Sequence, residues 1–527
     1  MALTNSSYID DLISTSESPD DGKAEIPQFF AGSNVLITGG SGFFGMLLIE
    51  KLLRCCPDIG KLYMFIRPKK EKSSEQRVKE QFEDPLYERL RKERPNFTDK
   101  VVLIEADCFE LNLGLLPENR KRLLDTNIII HSAATVRFNE PTRKAVNINI
   151  RGTKQLLLLA KEMPNLKAFV YISTAFSHCV QNVIEEKFYS PPIEPDKILT
   201  LVDMLDDKQL EILTPTLIGQ WPNIYALTKA IAEETVRQYG IGIPICIVRP
   251  SIVISTATEP VPGWINNFYG AVGIVFGTAI GLLRTLHCNP DYTAEIVPGD
   301  YVISHIVAVC WDTAKKKDTL LSIENTNPKI PETEKVPIYN YVSSCQNPIT
   351  WKDYMNMCTN KIPASEHCMW YYMLILNKHL FLHNISVIFL HMIPGYIVDA
   401  ILFLSGRKPQ LVKVYKKIHK FEHVISYFST QEWQFRNDAV LKLWNRMNQS
   451  DRQMFNFNLD ELNWNSCILN LIIGVRVFIL KDPLDSLEKG KAKYRKLKIA
   501  HYTLMTILAL LSLWCGIRLV LYIMSFF

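Results

Sequence analysis

Residues 35 to 45 read Val-Leu-Ile-Thr-Gly-Gly-Ser-Gly-Phe-Phe-Gly, an apolar run that passes into glycines at Gly39, Gly42 and Gly45 and then into an amphipathic stretch, Met46 to Leu53. Few structures accommodate such a passage. The spaced glycines allow a tight turn and a close backbone approach, and a helix starting behind them presents free N–H groups that suit a pyrophosphate. The segment therefore reads as strand, phosphate-binding turn and helix, which commits the chain around it to a parallel sheet. Thr38, Gly39, Gly42, Phe43 and Gly45 are the candidate contacts to a dinucleotide.

From Ser33 to about Thr256, short apolar runs alternate with amphipathic stretches, the pattern of an α/β fold built on a doubly wound parallel sheet. The predicted strands are 34–37, 61–66, 101–105, 127–131, 168–172 and 245–248. In such sheets ligands bind outside the carboxyl ends of the strands. The second run ends at Arg67, followed by Pro68, Lys69 and Lys70. A basic group there suits a ribose 2′-phosphate and so NADPH, whereas NAD calls for Asp or Glu; the competing reading is a solvated basic turn. Asp107, after the third run, either meets the adenine amino group or caps a turn. Ala133, in His131-Ser132-Ala133-Ala134, is small enough to let the backbone approach a cofactor.

Tyr225 and Lys229 lie four residues apart, on one helical face, where an ammonium can make a phenol more acidic. The same spacing recurs at Tyr494 and Lys498, inside a basic run that reads as a solvated face. Ser173 and Thr174 put hydroxyls at the end of the fifth run, suited to a substrate carbonyl oxygen. Asn149 can hold a water or the backbone in a proton relay. Isolated Ser, Thr and Asn are commonly caps or turn formers; it is their order along the chain that singles these out. Together the groups describe hydride transfer from a nicotinamide dinucleotide, with Tyr225 as proton donor.

At 527 residues the chain exceeds one ordinary core, so two domains plus additions are expected. Twelve cysteines show no CxxC and no metal-ligand spacing, and read as reduced thiols in a cytosol-facing protein. No cysteine stands beside an identifiable base, which argues against an acyl-enzyme, and no metal is expected. A net charge of +5 gives no reason to expect a nucleic-acid partner. The acidic, Ser-rich N-terminus has neither the basic nor the apolar region of a secretory signal, so residues 1–30 are expected to be a disordered tail.

With these residues in view, the chain resembles the extended short-chain dehydrogenase/reductases and, within them, the fatty acyl-CoA reductases. The resemblance rests on Ile37 to Gly45, Phe65 to Lys70, His131 to Phe138 and Val248 to Val253. Pro260-Val261-Pro262-Gly263-Trp264-Ile265 is the most telling, and Phe455 to Leu459 with Asn463-Trp464 extends the match over nearly the whole chain. Phe176, Asn266, Ser304 and Gly395 depart from the family pattern. The resemblance implies a Rossmann-type fold and NADPH-dependent reduction of a long-chain acyl-CoA to the fatty alcohol through an aldehyde. A steroid or sugar-nucleotide enzyme of the same fold, or a non-catalytic NADP(H)-binding scaffold, is the alternative. Retention of both Tyr225 and Lys229 speaks against the scaffold.

The expected organisation is a reductase domain at 31–345, a helical C-terminal domain at 346–498 and a transmembrane tail at 499–527. Between Thr174 and Tyr225 lie 50 residues, read as a cap-like insertion at about 180–220. Lys489 to Lys498 holds six basic residues ahead of the apolar tail and is expected on the cytosolic face. The apolar segment 381–404 is followed by six basic residues between Arg407 and Lys420. If it crossed the bilayer, both basic clusters would be lumenal, so it reads as a core or interfacial helix. Membrane lipid is thus an expected partner, the membrane being endoplasmic reticulum or peroxisome, and homodimerisation is left open.

Overall fold

The computed structural model describes residues 22–67, 72–324, 336–361 and 365–526. Of the tail expected over 1–30, residues 1–21 lie outside this range. Glu25–Phe30 is helical, with Ile26 and Phe30 buried and the Asp451 carboxylate accepting from the N–H groups of Glu25 and Ile26.

Seven strands form one sheet: β1 (Val35–Thr38), β2 (Leu62–Ile66), β3 (Val101–Glu105), β4 (Ile128–His131), β5 (Ala168–Ile172), β6 (Ile245–Pro250) and β7 (Ile338–Tyr341). Their order is β3-β2-β1-β4-β5-β6-β7 and every pairing is parallel. The order reverses beside β1, whose Val35 pairs with Leu62 on one side and Ile128 on the other. That reversal is the topological switch point at which open α/β sheets bind ligands. Six of the seven strands are buried throughout, which is why they read as continuous apolar runs. All six predicted strands are present within a residue or two. The seventh, Ile338–Tyr341, lies beyond the alternating pattern and was not anticipated.

The helices that position the site are α1 (Phe43–Cys55), α2 (Gly152–Ala160), α3 (Pro195–Met204), α4 (Asp207–Ile218) and α5 (Ile224–Tyr239). The interval expected as a cap supplies α3 and α4. Ile198, Leu199, Val202 and Leu210 join the core shared with Leu156, Leu157, Leu227 and Ile231 of α2 and α5. The Arg143 guanidinium fastens the turn between them, donating to the carbonyls of Val202 and Leu205 and to Asp207. The pair thus spends its apolar face on the helix layer covering the sheet.

The chain folds as two compact units rather than with one cut near 345. The first comprises residues 1–262, 293–349 and 431–467 and contains the sheet. Residues 431–467 belong to it because Gln434–Phe435 pairs with Val183–Ile184, and because the Tyr341 hydroxyl donates to the carbonyl of Phe457. The second comprises 263–292, 350–430 and 468–527. It is mostly helical, with a short parallel pair, Thr285–His287 on Ile375–Asn377. Gly263 of the Pro-Val-Pro-Gly-Trp-Ile motif has φ +76° there, and a Cβ on it would fall 2.0 Å from the carbonyl oxygen of Asn470. Only glycine serves at this position, which gives the motif a packing reason.

The second unit also contains α6 (Leu380–Leu404), α7 (Leu411–Ser429) and α8 (Leu487–Met524). α6 and α8 are each long and apolar enough to cross a membrane, which points to membrane association. α8 runs unbroken from its basic foot to Met524, with only Gly490 and His501 buried. Arg518 lies 5.7 Å from the ring centroid of Trp514 and the residues after it continue the helix.

Candidate active site

The glycine turn links β1 to α1 as the sequence implied. Gly39 has φ +73° and approaches the backbone of Ala133 so closely that a Cβ would lie 3.0 Å from its nitrogen. At Gly45 a Cβ would fall 2.3 Å from the Gly39 carbonyl oxygen, so α1 packs directly on the turn. Gly42 is the exposed N-cap of α1 and has no side chain with which to cap the helix. A 13-residue helix whose N-terminus follows a glycine turn suits a diphosphate. Phe43 is partly buried and packs under Gly299.

Thr38 is fully buried and works as a stitch. Its hydroxyl bonds the His131 ring at 2.7 Å and accepts from the Ala133 N–H, while its carbonyl accepts from the Ser132 hydroxyl. It fixes the ends of β1 and β4 around the turn, and Ala133 faces the turn through its backbone. Burial, reinforced by Lys229, holds the His131 imidazole down at about 3, so it sits there neutral.

At the end of β2, Arg67 is exposed, and its carbonyl accepts from the guanidinium of Arg77. Arg77 is a second cation at this corner that the sequence reading missed. Lys69 and Lys70 lie outside the described residues. Asp107 caps a turn, accepting from the Phe109 N–H at 3.0 Å.

Tyr225 and Lys229 sit on the first turns of α5, which Asn223 caps by accepting from the Ala226 N–H. The Tyr225 phenol lies near the Thr174 hydroxyl, bringing together two of the residues singled out from sequence. Phe138 places its ring 5.9 Å from the Tyr225 ring. Burial pushes the phenol up to about 12, and the neighbouring Thr174 hydroxyl opposes this. Burial of the phenolate sets the direction of this shift. Lys229 reaches the end of β5, where its ammonium donates to the Ile172 carbonyl at 2.7 Å and to the Tyr171 hydroxyl at 3.3 Å. Burial brings that ammonium down to about 7, against the opposing pull of the Glu233 carboxylate.

Glu233 is the site's main omission from the sequence reading. It stands one further turn along α5, completing an i, i+4, i+8 row with Tyr225 and Lys229, and it is buried. Its carboxylate accepts from the hydroxyls of Ser173 and Ser177, from His178 at 2.9 Å and from Arg249 at 2.6 and 3.0 Å. Burial works against the charge, but Arg249 and His178 hold the carboxyl well below its usual range. Arg249 in turn donates to the carbonyls of Glu185 and Lys187, so the motif Val248-Arg249-Pro250 clamps the segment after β5. Ser173 is thereby committed to Glu233, and Thr174 is the hydroxyl left beside Tyr225.

Asn149 is buried on a widened turn at Asn147–Arg151, with its side chain shared between the backbone of Thr135 and the hydroxyl of Thr228. It ties α5 to the loop after β4 rather than reaching the Tyr225 phenol. Phe176 is buried edge-on against Trp433 and Phe435, an apolar contact that uses no hydroxyl. Among the described residues no group of three His, Cys, Asp or Glu is placed to hold a metal.

A parallel sheet with a glycine turn at its switch point, and a Tyr–Lys helix at its carboxyl edge, defines an NAD(P)-binding reductase of the Rossmann type. Residues 37–306 match the NAD-binding model of the family described as "Male sterility protein", and residues 390–482 match a second model with that description. The chain is 37% identical to fatty acyl-CoA reductase wat of Drosophila melanogaster, over 94% of this chain and 93% of that protein. It is 34% identical to fatty acyl-CoA reductase 1 of Rattus norvegicus and 35% identical to fatty acyl-CoA reductase 2 of Bos taurus, over 92% of each chain. The protein belongs to the fatty acyl-CoA reductase family. Among solved structures, the reductase domain of a nonribosomal peptide synthetase from Mycobacterium tuberculosis matches with a TM-score of 0.54 at 16% identity, covering 88% of this chain and 97% of that one. The terminal R domain of the myxalamid pathway matches with a TM-score of 0.52 at 17% identity, covering 89% and 97%. These two likenesses concern the fold.

Proposed function

We propose that the protein reduces a long-chain fatty acyl-CoA to the fatty alcohol through an aldehyde, using NADPH, with Tyr225 as proton donor. The observation that carries this reading is the nearness of the Tyr225 phenol to the Thr174 hydroxyl at the carboxyl end of β5, with Lys229 one helical turn further along α5 and held on the Ile172 carbonyl. The curated relatives named fatty acyl-CoA reductases over nearly the full chain supply the substrate class.

The residues present fit the cofactor. Gly39, Gly42 and Gly45 form a cradle that a Cβ would fill or strain, the N-terminus of α1 suits the diphosphate, and Arg67 suits a 2′-phosphate. When bound, NADPH supplies the hydride. Tyr225, with a phenol at about 12, is fully protonated at neutral pH and gives its proton to the oxygen that becomes an alkoxide. Thr174 donates to the same oxygen, and the Lys229 ammonium holds ribose hydroxyls and favours the phenolate left behind. Glu233, Arg249 and His178 keep the segment carrying Thr174 fixed against α5.

In this reading α8 anchors the protein, with Lys489 to Lys498 on the cytosolic side of an endoplasmic reticulum or peroxisomal membrane. The reductase unit then faces the cytosol, where protease added to sealed vesicles digests it. The activity is tested by incubating the full chain with palmitoyl-CoA and either NADPH or NADH and separating the products by chromatography. Hexadecanol formed preferentially with NADPH is expected; no alcohol with either cofactor overturns the proposal.

A further inference from the structure

The second unit carries an apolar surface that the reductase chemistry does not use. α6 is held to that unit along one stripe only. Near its start, His383 bonds the Thr285 hydroxyl; midway, His391 accepts from the Arg284 N–H and bonds the His419 ring at 3.0 Å. One turn later Gly395 lets the Tyr415 ring approach to 3.1 Å of where a Cβ would sit. Another turn on, Asp399 accepts from the N–H groups of Gln410, Leu411 and Val412 and so caps α7. The opposite face is apolar and open: Phe381 is 73% exposed and Leu404 84%, with Phe389, Ile393, Ile397 and Ile401 between them.

α7 runs beside α6 and is strongly amphipathic in charge. Lys413, Lys416, Lys417 and Lys420 are exposed along it, preceded by exposed Arg407 and Lys408, while its one carboxylate, Glu422, is buried. The foot of α8 has an aromatic collar, in which Tyr371 packs within 6 Å of Tyr494, His501 and Tyr502. Such collars mark the level at which a helix enters a bilayer. Tyr372 of the same collar stands eight residues before α6 begins.

We propose that α6 lies in the plane of an anionic membrane leaflet without crossing it, its open face in the acyl boundary and the lysines of α7 on lipid headgroup phosphates. A spanning α6 would carry its packed partner α7 and four exposed ammonium groups into hydrocarbon. A core helix would not leave its phenylalanines and leucines open to solvent. An apolar face rimmed with lysines meets the requirements of an interfacial helix, and six exposed cations without an exposed carboxylate favour phosphatidylserine-like headgroups over neutral ones. The membrane then holds the protein at two places, a spanning α8 and an in-plane α6.

The test uses the full chain with Cys345→Ser and Cys515→Ser, since the other cysteines are buried. Bimane is attached in turn to Phe381→Cys, Phe389→Cys, Ile397→Cys and Leu404→Cys. Each protein is reconstituted into phosphatidylcholine–phosphatidylserine vesicles carrying brominated lipids of known bromine depth. In-plane docking is expected to give equal quenching at all four positions, strongest with shallow bromines. A crossing helix covers about 35 Å between Phe381 and Leu404, at about 1.5 Å per residue. Depths graded towards the bilayer centre at Phe389 and Ile397 would overturn the proposal. Absence of quenching at all four positions, as when a second copy covers the face, would overturn it equally. Reversing Lys413, Lys416, Lys417 and Lys420 to Glu is expected to lower quenching on α6 several-fold while a probe at Leu510→Cys on α8 stays quenched. In the unreversed protein, raised salt is expected to lower α6 quenching on phosphatidylserine vesicles and to spare it on neutral ones. Insensitivity to both charge reversal and salt would refute headgroup recognition.

Discussion

Replacing Glu233 by Gln removes a negative charge one helical turn from Lys229 while keeping the shape of the side chain. Groups at i and i+4 on a helix lie about 6 Å apart. At an effective dielectric constant of about 20, their attraction is on the order of 3 kcal/mol, or about two pK units. Lys229, already brought down to about 7 by burial, then loses its proton at a correspondingly lower pH. At pH 7.5 the charged fraction falls from about a quarter to well under one per cent, and kcat/KM is expected to drop on the order of 50- to 100-fold. The loss is expected to shrink as the pH is lowered, because acid restores the ammonium. The substitution also leaves Arg249 and His178 facing a neutral amide, at a cost of about 3–5 kcal/mol in stability. Thermal melts of each variant separate this from the electrostatic effect, and Glu233→Asp, which keeps the charge, is expected to recover the alkaline limb of the profile. The assay is the initial rate of NADPH oxidation with palmitoyl-CoA across the pH range in which the folded variant persists. An alkaline limb at the same pH in the wild-type and Gln proteins would refute the reasoning.

Tyr225→Phe is expected to lower turnover by about 10²- to 10⁴-fold with NADPH affinity within a few-fold, read by single-turnover kinetics and fluorescence titration. Arg67→Ala is expected to raise the KM for NADPH about ten-fold or more, matching about 1.5–3 kcal/mol for a charge-assisted bond, with little change for NADH. Equal effects on both cofactors would remove Arg67 from that role. His305 is buried among Tyr339, Tyr341 and Phe457 with neither ring nitrogen partnered, and burial holds it down at about 3. Because the unfolded histidine takes up a proton below about 6.5 and the folded one does not, stability is full above that pH and falls by about 1.4 kcal/mol per unit as the pH drops towards 3. His305→Phe is expected to flatten part of that slope in denaturant titrations at pH 5 and 7, and an unchanged slope would contradict the burial argument.

Features written in short stretches of sequence were legible. The glycine turn, six of seven strands and the Tyr225–Lys229 spacing each depend on residues close in the chain, and each is present. Ile338–Tyr341 was missed because an edge strand of four residues behind Pro337 carries too little pattern to separate it from a loop. The carboxylate network was missed for a different reason. Ser173 and His178 follow β5, Glu233 lies on α5 and Arg249 on β6, and they meet only when these elements assemble. Even so, the i, i+4, i+8 row on α5 was a signal, since a glutamate on an otherwise buried helical face requires a partner. Ser173 and Asn149 were singled out from sequence, and the structure gives their hydrogen bonds to Glu233 and to Thr135 and Thr228. The division into two units was illegible because residues 263–292 and 431–467 pair across long intervals that no local pattern records.

Forming an alcohol from an acyl-CoA takes two successive reductions of one carbonyl carbon. The most direct test gives the full chain palmitoyl-CoA and NADPH deuterated on the transferable position of the nicotinamide C4, and analyses the hexadecanol by mass spectrometry. The expected product carries two deuteriums at C1, with two NADPH oxidised per alcohol. Hexadecanol bearing one deuterium or none, or palmitaldehyde accumulating as the sole product at one NADPH each, would contradict it.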